Sequence, residues 1–293
     1  MDLFLSQLFI GIGNGVVYAS VALALVLIFR TTGILNFAQG EMALFSTYIT
    51  WKFTDHGMPV VLAIILSMAI SFIGGMIIER VLIRPVESAS PLTIVIVTLG
   101  MFLAINSLAQ LIFGTGEKQL PSPFPSHRYH VLGTTLTAQT IGLVAVLAVE
   151  CLVLYILFQR TKMGLAFRAV ANNVESSRLV GINSGLMLML GWGMAAALGA
   201  LAGAMVVPTQ PALVPSSMQS VLVLSFAAAA LGGFDSPLGA VVGGLVVGVA
   251  DAMTHQYIDG LDQIELVVPF ALILLVLLFR PNGLFGKTVV ERV

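Results

Sequence analysis

The stretch QRTKMGLAFRAVANNVESSRLVGIN (Gln159–Asn183) is the longest polar run in an otherwise hydrophobic chain. It contains four of the thirteen Lys and Arg residues, namely Arg160, Lys162, Arg168 and Arg178. If Met163–Arg178 is one helix, its apolar residues fall on one face, because they recur at spacings of four, three and four. These residues are Met163, Phe167, Val170 and Val174. Since positive charge marks the cytoplasmic side of a membrane protein, the run predicts an amphipathic cytoplasmic helix; a solvated connecting helix is the simpler alternative.

The composition around this run is that of an integral membrane protein. Hydrophobic residues make up 58% of the chain and charged residues 9%, with a mean hydropathy of +1.03, whereas soluble domains carry about 25% charge. The charges are too few for a nucleic-acid-binding face. The only cysteine, Cys151, cannot form an intrachain disulfide. The first residues lack a basic region and a cleavage site, so the first apolar run is expected to be a retained span.

About nine apolar segments follow one another along the chain. They are Leu8–Phe29, a helix starting near Gly33 that includes Met42–Trp51, Met58–Ile78, Ser88–Gly116, Ile141–Phe158, two within Leu179–Phe234, Ala240–Ala250 and Ile264–Phe279. Prolines at 208, 211 and 215 predict the turn inside the long pair. The predicted fold is therefore all-α, a polytopic bundle of about 8–10 transmembrane elements. It forms one domain over residues 1–293, with the cytoplasmic segment 160–183.

The basic residues orient this bundle in the membrane. With the N-terminus outside, ten of the thirteen Lys and Arg residues fall on the inner side and only Lys52, Lys118 and Arg128 on the outer side. The positive-inside rule thus predicts a periplasmic N-terminus and a cytoplasmic C-terminus. The outer stretch Glu117–Gln139 contains three prolines and is predicted to be irregular.

Glycines recur at four-residue spacing within the predicted spans. The pairs are Gly11 and Gly15, Gly199 and Gly203, Gly239 and Gly243, and Gly244 and Gly248. Helices in lipid associate by close backbone approach at small residues, so these pairs predict tight packing; the alternative is that they line a path.

A small set of polar residues is predicted at membrane depth, where such groups are expensive and often functional. The candidates for a translocation path are Asn36, Gln39, Glu41, Asn106 and Glu150. The simpler interpretation of each is a hydrogen bond to a neighbouring helix. The segment FAQGE (Phe37–Glu41) favours a broken helix whose backbone lines a cavity.

The sequence contains no evidence of catalysis. His127 and His130 lie three residues apart in the proline-rich loop without a third metal ligand nearby, so a solvated loop is expected and no metal site is predicted. There is no phosphate-binding glycine loop with Lys and no nucleophile elbow. ATP hydrolysis and a directly bound cofactor are therefore not expected of this chain.

Five segments, in order along the whole chain, resemble one family. They are Ile28–Tyr48, Ile78–Val86, Arg160–Asn183, Ala227–Ala252 and Leu274–Lys287. The segments NFAQGE and GLAFRA…GIN are the most specific of these. They look like the LivH-type permease subunit of branched-chain amino acid ABC importers.

The resemblance implies a multi-pass permease of the bacterial inner membrane. Its expected partners are a homologous LivM-like permease, two cytoplasmic LivG/LivF-like ATPase subunits that bind ATP and Mg²⁺, and a periplasmic substrate-binding protein. The family's ATPase-coupling segment corresponds here to Gly164, Arg168, Ala169, Asn172, Gly181 and Ile182.

Three alternatives remain at this point. Importers of urea and short amides use closely similar permeases, and amide side chains do not discriminate between the cargoes. A transporter or channel that works without an ATPase is a second alternative. An integral membrane enzyme is a third, although the scattered histidines argue against it.

Overall fold

The computed structural model describes residues 2–131, 133–257 and 267–286 of a mostly helical chain. The helices are α1 (Asp2–Thr32), α2 (Gln39–Asp55), α3 (Val60–Ile78), α4 (Pro91–Phe113), α5 (Ala138–Arg160), α6 (Lys162–Asn172), α7 (Val174–Leu179), α8 (Ser184–Val206), α9 (Gln219–Gly232), α10 (Pro237–Tyr257) and α11 (Val267–Phe279). Helix α3 continues as a π-helical turn (Glu79–Ile83) and a 3₁₀ turn (Arg84–Val86), and α8 continues as the 3₁₀ turn Val207–Thr209.

Six helices in the described part of the chain are long and apolar enough to cross a bilayer: α1, α3, α4, α5, α8 and α10. Helices α2, α9 and α11 correspond to the other predicted elements but contain 17, 14 and 13 residues. A perpendicular crossing of the hydrocarbon core takes about 20 residues. The protein is thus a polytopic helical membrane protein with six long spans and five shorter helices among the described residues, three of which correspond to predicted membrane elements.

Most predicted helix limits lie within a few residues of the observed ones. Capping residues stand at several of these helix ends. The Ser90 hydroxyl accepts a hydrogen bond from the Thr93 backbone N–H at the start of α4, which has Pro91 as its first residue. The predicted proline turn lies between α8 and α9, as expected. The start of the last predicted span, residues 264–266, lies outside the described residues.

The outer loop differs from its prediction. Residues Arg128–Val131 and Thr134–Thr137 form an antiparallel hairpin, β1 and β2, so the fold is not strictly all-α and Glu117–Gln139 is not irregular throughout. Gly133 in the turn has φ +81, a conformation that glycine adopts without strain. The threonines of β2 favour an extended backbone, which explains the strand.

The chain divides into two compact units. The first comprises Met1–Val26, Phe124–Leu147 and Val221–Val293. Within it, the first part of α1 packs against α10, and the Tyr18 hydroxyl donates a hydrogen bond of 3.1 Å to the Asp251 carboxylate. The second unit comprises Leu27–Pro123 and Ala148–Ser220. Within it, α8 packs against α2 and α3, and the largest fully buried side chains include those of Tyr48 and Trp192.

Close packing at the spaced glycines is confirmed within each unit. A Cβ on Gly15 would lie 2.8 Å from Leu245 Cα, and one on Gly244 would lie 2.5 Å from the Ala19 backbone nitrogen. A Cβ on Gly243 would overlap the Ala228 carbonyl, and one on Gly203 would overlap the Thr47 hydroxyl. All four predicted pairs therefore lie where one helix backbone approaches another element of its unit.

The crossing of α3 and α8 allows a direct test of this packing. A Cβ on Gly75 would lie 2.6 Å from the Trp192 carbonyl oxygen, whereas no described atom lies within 4 Å of the Cβ position of Gly74, apart from its chain neighbours and its own helix. We expect Gly75→Ala to lower the free energy of unfolding by about 1–3 kcal/mol, because α8 must move away. Gly74→Ala, the matched control, is expected to be neutral or slightly stabilising, since alanine favours the helix by up to about 1 kcal/mol.

Unfolding of the purified permease in increasing SDS, followed by circular dichroism, measures both effects. Equal midpoints for the two variants would contradict the close crossing at Gly75.

Candidate functional site

Helices α1 and α2 are separated by a break that the sequence only partly predicted. Helix α1 ends at Thr32 and Gly33 has φ +70, a conformation that ends a helix readily. The Asn36 side-chain oxygen accepts a hydrogen bond of 3.0 Å from the Ala38 backbone N–H, which turns the chain into α2 at Gln39. The predicted helix start near Gly33 is therefore wrong by about one and a half turns, and the predicted break at FAQGE is present.

The polar residues at this break are buried, and two of them, Asn36 and Gln39, are hydrogen-bonded to each other. Asn36, Gln39 and Glu41 are each at most 1% exposed. The Asn36 amide donates to the Gln39 side-chain oxygen at 3.2 Å, and the Gln39 amide donates to the Ala195 carbonyl of α8 at 2.9 Å. The break is thereby tied to the middle of α8.

Asn106 of α4 forms a second, separate pair with Glu41 of α2. Its Nδ2 donates to Glu41 Oε2 at 2.8 Å and to the Pro215 carbonyl at 2.9 Å, while its Oδ1 accepts a hydrogen bond from the Gln110 amide. The other Glu41 oxygen, Oε1, is buried and has no hydrogen-bond partner among the described residues. A buried carboxylate with one unsatisfied oxygen costs free energy, so this network is stabilised only while Asn106 stays in place.

Four of the five predicted path residues therefore form two hydrogen-bonded pairs at the start of α2, Asn36 with Gln39 and Glu41 with Asn106, and these four residues are called the polar cluster below. Its three residues at the break have almost no exposed surface, so the cluster is closed in this conformation. Glu150, the fifth, is 4% exposed and lies on α5, a helix that contributes nothing to these hydrogen bonds. Sequence reasoning missed Pro215, because a backbone carbonyl has no sequence signal.

The basic segment 160–183 forms two helices, not the single helix Met163–Arg178 that periodicity predicted. Helix α6 ends at Asn172, and Asn173 has an extended backbone (φ −159°, ψ 110°). The Asn173 side-chain oxygen accepts a hydrogen bond of 2.8 Å from the Ser176 N–H and so caps α7. Thr161 caps α6 and Asn183 caps α8 in the same way.

The predicted apolar face is confirmed. Phe167 and Val170 are each 2% exposed and pack with Met187 and Leu188 of α8, while Met163 and Val174 lie against the same cluster. The Phe158 and Phe167 rings are 5.5 Å apart, which joins α6 to the end of α5. The segment is therefore docked on the membrane helices of its own unit through a hydrophobic contact.

The six predicted coupling residues have different surroundings. Gly164 is buried, and a Cβ there would overlap the backbone of Leu157 and Phe158, so it allows the tight turn between α5 and α6. Ile182 is half-buried against the apolar cluster. Arg168 is also half-buried, and its guanidinium donates to the Gly164 carbonyl and to the Gln159 side chain at 3.3 and 3.4 Å. Asn172 and Gly181 are exposed, and Ala169 is half-buried.

An outward face remains on α6 after these contacts are made. It lies on the side of the helix opposite Phe167 and Val170, because its residues follow Leu165 at spacings of three, four and seven. The residues of this face are Leu165, Arg168, Ala169 and Asn172. Leu165 is 62% exposed, Leu179 at the end of α7 is 89% exposed, and Val180 after it is 75% exposed. Sequence reasoning missed these three residues, although an apolar residue on the polar face of an amphipathic helix is a usable signal.

The fold and these two sites define a multi-pass membrane protein with a buried polar helix break and a docked surface segment. The comparisons with known proteins agree with this class. Residues 7–277 match the family described as the branched-chain amino acid transport system permease component. No solved structure gives a significant match.

Three curated relatives cover nearly the whole chain. The high-affinity branched-chain amino acid transport permease LivH of Salmonella typhimurium is 33% identical over 99% of this chain and 98% of its own length. LivH of Escherichia coli is 32% identical over the same shares, and BraD of Pseudomonas aeruginosa is 31% identical, also over 99% and 98%. The chain therefore belongs to the permease-component family of branched-chain amino acid transport systems. It is a multi-pass permease of the inner membrane.

Proposed function

We propose that this chain is one of two permease subunits of an ATP-driven importer for branched-chain amino acids. Its relatives are named as high-affinity permeases for these substrates, and they align over almost their full length. A second, homologous LivM-like permease completes the translocation path. Two cytoplasmic LivG/LivF-like ATPase subunits bind ATP and Mg²⁺, and a periplasmic binding protein delivers the amino acid.

In this proposal residues 1–293 form a single permease domain with a periplasmic N-terminus and a cytoplasmic C-terminus. The placement of ten of thirteen basic residues on one side supports this orientation. This orientation requires that the shorter helices α2, α9 and α11 also complete crossings, for nine in all, because an odd number of crossings leaves the two termini on opposite sides.

The observation that carries the proposal is the outward face of α6. It presents an exposed leucine beside a cationic side chain, on a helix held to α8 by buried Phe167 and Val170. Exposed apolar surface rimmed by polar residues marks protein interaction sites, and arginine is enriched at interfaces. Because α6 packs against α8 through these buried side chains, a displacement of this face by a partner subunit also moves α8.

Helix α8 transmits this displacement to the polar cluster. The Gln39 amide is bonded to Ala195 in α8, so a displacement of α8 strains the hydrogen bonds at the α1–α2 break. The cluster is closed here, and we propose that it opens during transport to line the path with Asn36, Gln39, Glu41 and Asn106. Glu150 is proposed as a path residue on α5.

Reconstitution of the complete transporter tests this function. The permease is co-expressed with the proposed LivM-like permease and ATPase subunits, purified, and placed in liposomes with the binding protein outside. We expect leucine uptake that requires ATP inside the vesicles and that isoleucine and valine inhibit, whereas urea in excess does not. Uptake without any ATPase would contradict the proposal, and equal competition by urea would reject the proposed cargo.

A further inference from the structure

Within the second unit, the end of α3 carries a largely buried ion pair that belongs neither to the polar cluster nor to the outward face of α6. Arg84 contacts Glu79 through two nitrogens, Nη2 and Nε, which lie 2.8 and 3.1 Å from the two carboxylate oxygens. The π-helical turn produces this geometry, because the Arg84 backbone N–H bonds to the Glu79 carbonyl five residues back. Glu79 is only 1% exposed. Turns of this kind are rare and occur frequently at functional sites.

The same guanidinium holds the beginning of α8. Its Nη2 also donates to the Gly185 carbonyl at 2.6 Å, and a Cβ on Gly185 would lie 3.1 Å from Nη1, so the guanidinium lies directly against this backbone. The residue before it, Ser184, is buried and accepts a hydrogen bond of 3.1 Å from the Arg178 guanidinium of α7. Arg84 and Arg178 therefore bind adjacent residues of α8, one from α3 and the other from the segment 160–183.

The ion pair is a poor device for stability alone. Burying two charges costs free energy that can exceed the gain from their attraction, and apolar residues of similar volume often replace such a pair at no net cost in stability. The best-attested use of buried ionic groups is to select one arrangement of helices. Arg84 fits that use, because its five N–H donors form a fixed fork that reaches the Glu79 carboxylate and the Gly185 carbonyl together.

Helices α3 and α8 are held together at two separated places. One is the close crossing, where a Cβ on Gly75 would lie 2.6 Å from the Trp192 carbonyl oxygen. The other is the contact of Arg84 with Gly185, which lies about 10 Å from Trp192 along α8, towards its first turn. A helix that is held only at a crossing can pivot there, whereas a second attachment to the same neighbour prevents the pivot.

We propose that Arg84 is a positioning residue, which makes the end of α3 follow the beginning of α8 when a partner subunit displaces the segment 160–183. This role rests on the proposed function and adds a second connection to the one through Gln39. A displacement of α7 at Arg178 moves the beginning of α8, and Arg84 passes that movement to the π-helical turn of α3. Without Arg84, α8 pivots at its crossing with α3, and the end of α3 does not follow.

Helix α3 is bonded in turn to α2, the helix that carries part of the polar cluster. The Ser71 hydroxyl donates a hydrogen bond of 2.6 Å to the Ser46 hydroxyl, and both side chains are buried. Movement of α3 therefore reaches α2 independently of the bond between Gln39 and Ala195. Since that other bond remains, loss of Arg84 is expected to weaken the coupling of ATP hydrolysis to transport without abolishing it.

The double variant Glu79→Met, Arg84→Met tests this role, because it removes both charges and leaves neither unpaired. In the reconstituted transporter we expect the ATPase subunits to remain bound, ATP to be hydrolysed, and the midpoint of unfolding in SDS to change little. The amount of leucine taken up per ATP hydrolysed is expected to fall about fivefold, since substitutions along such connections change coupling by about two- to thirtyfold. A purely structural role would leave this ratio unchanged, because misfolded molecules lose uptake and hydrolysis together.

The matched control is the double variant Arg80→Met, Glu87→Met. It removes one arginine and one glutamate from the same end of α3, where neither side chain makes a hydrogen bond with another described residue. Its ratio of uptake to hydrolysis is expected to equal that of the parent.

Arg84→Lys provides a second variant, which decides the question if the first one folds poorly. It keeps a positive charge beside Glu79 but loses the fork that reaches both acceptors, so it is also expected to lower the ratio. An unchanged ratio in the folded variants of Arg84, or an equal fall in the matched control, would overturn the proposal.

Spin labels measure the movement itself and do not depend on transport. They are attached through Arg80→Cys and Leu186→Cys, at exposed positions close to the two helix ends, after Cys151, the only cysteine of the chain, is replaced by serine and the partner subunits are made cysteine-free. Electron paramagnetic resonance is recorded with and without a non-hydrolysable ATP analogue. The distance between the labels is expected to stay constant in the parent complex and to change with Arg84→Lys.

A changing distance in the parent, or a constant one with Arg84→Lys, would overturn the role of Arg84. If the parent complex takes up no leucine, the proposed function fails, whereas the spin-label distances still decide whether Arg84 makes α3 follow α8.

Discussion

Replacing Leu165 with Asp is expected to release the ATPase subunits from the permease without unfolding it. Leu165 is 62% exposed on the outward face of α6 and is not part of the apolar cluster that holds this helix to α8. A carboxylate there leaves the membrane core unchanged but places a desolvated charge in the proposed interface. Burying an unpaired carboxylate costs well over about 1.4 kcal/mol, the equivalent of a tenfold change in affinity, so we expect at least a tenfold loss of ATPase association.

Co-purification of the ATPase subunits with tagged permease measures this loss. Tyr129→Asp is the matched control, because Tyr129 is a 49% exposed apolar side chain on β1 that also becomes a carboxylate. It is expected to retain the ATPases fully. Equal retention by both variants, with equal yields of folded permease, would reject the outward face of α6 as the docking site.

Arg168 is a less direct probe of the same face. Its guanidinium bonds to the Gly164 carbonyl and to Gln159, so Arg168→Glu also removes contacts that hold the α5–α6 turn. Loss of ATPase binding in that variant would therefore combine two effects. Leu165 separates docking from local stability.

The segment 160–183 shows what hydrophobic periodicity predicts and what it misses. The positions of Phe167 and Val170 follow from their spacing, since buried residues of an amphipathic helix recur at three or four positions. The same pattern passes through Asn173 without interruption, although the backbone is extended there. Asparagine competes for backbone hydrogen bonds and favours N-cap positions, so the pair Asn172–Asn173 was the available signal for a helix end.

The polar cluster shows a different limit. Burial of Gln39 and Glu41 could be predicted because the short apolar run after them needs extra residues to approach a full span. Their partners could not be predicted: Asn106 lies 65 positions from Glu41 and Ala195 lies 156 positions from Gln39. Such pairs depend on how helices pack, and one sequence carries little information about that.

The hairpin was missed because three prolines near it masked a short strand pattern. Its signals were Gly133, which suits a turn with positive φ, and the threonine-rich run Thr134–Thr137. Prolines mark irregular backbone only at their own positions and the residue before each of them.

Asn106→Leu is expected to destabilise the permease by about 2–3 kcal/mol, the upper part of the cost of leaving a buried polar group without its hydrogen-bond partner. The substitution removes the donor to Glu41 Oε2, and Oε1 already lacks a partner among the described residues. Gln110→Leu is the matched control one turn away, because it removes only the hydrogen bond to Asn106 Oδ1 and leaves Glu41 bonded. It is expected to cost about 1 kcal/mol. Midpoints of unfolding in SDS measure both, and equal midpoints would contradict the role given to Asn106.

The double variant Glu41→Met, Asn106→Leu then separates stability from transport. Removing both partners leaves no unpaired charge, so most of the stability lost in Asn106→Leu should return. If the cluster opens to line the path, the stable double variant still fails to take up leucine, because its polar surface is gone. If the variant is both stable and active, the cluster serves only to join α2 to α4, and Glu41 and Asn106 are not path residues. We expect the double variant to be stable but inactive. Its stability is expected because apolar packing can replace a buried charge that joins two helices at no net cost in stability.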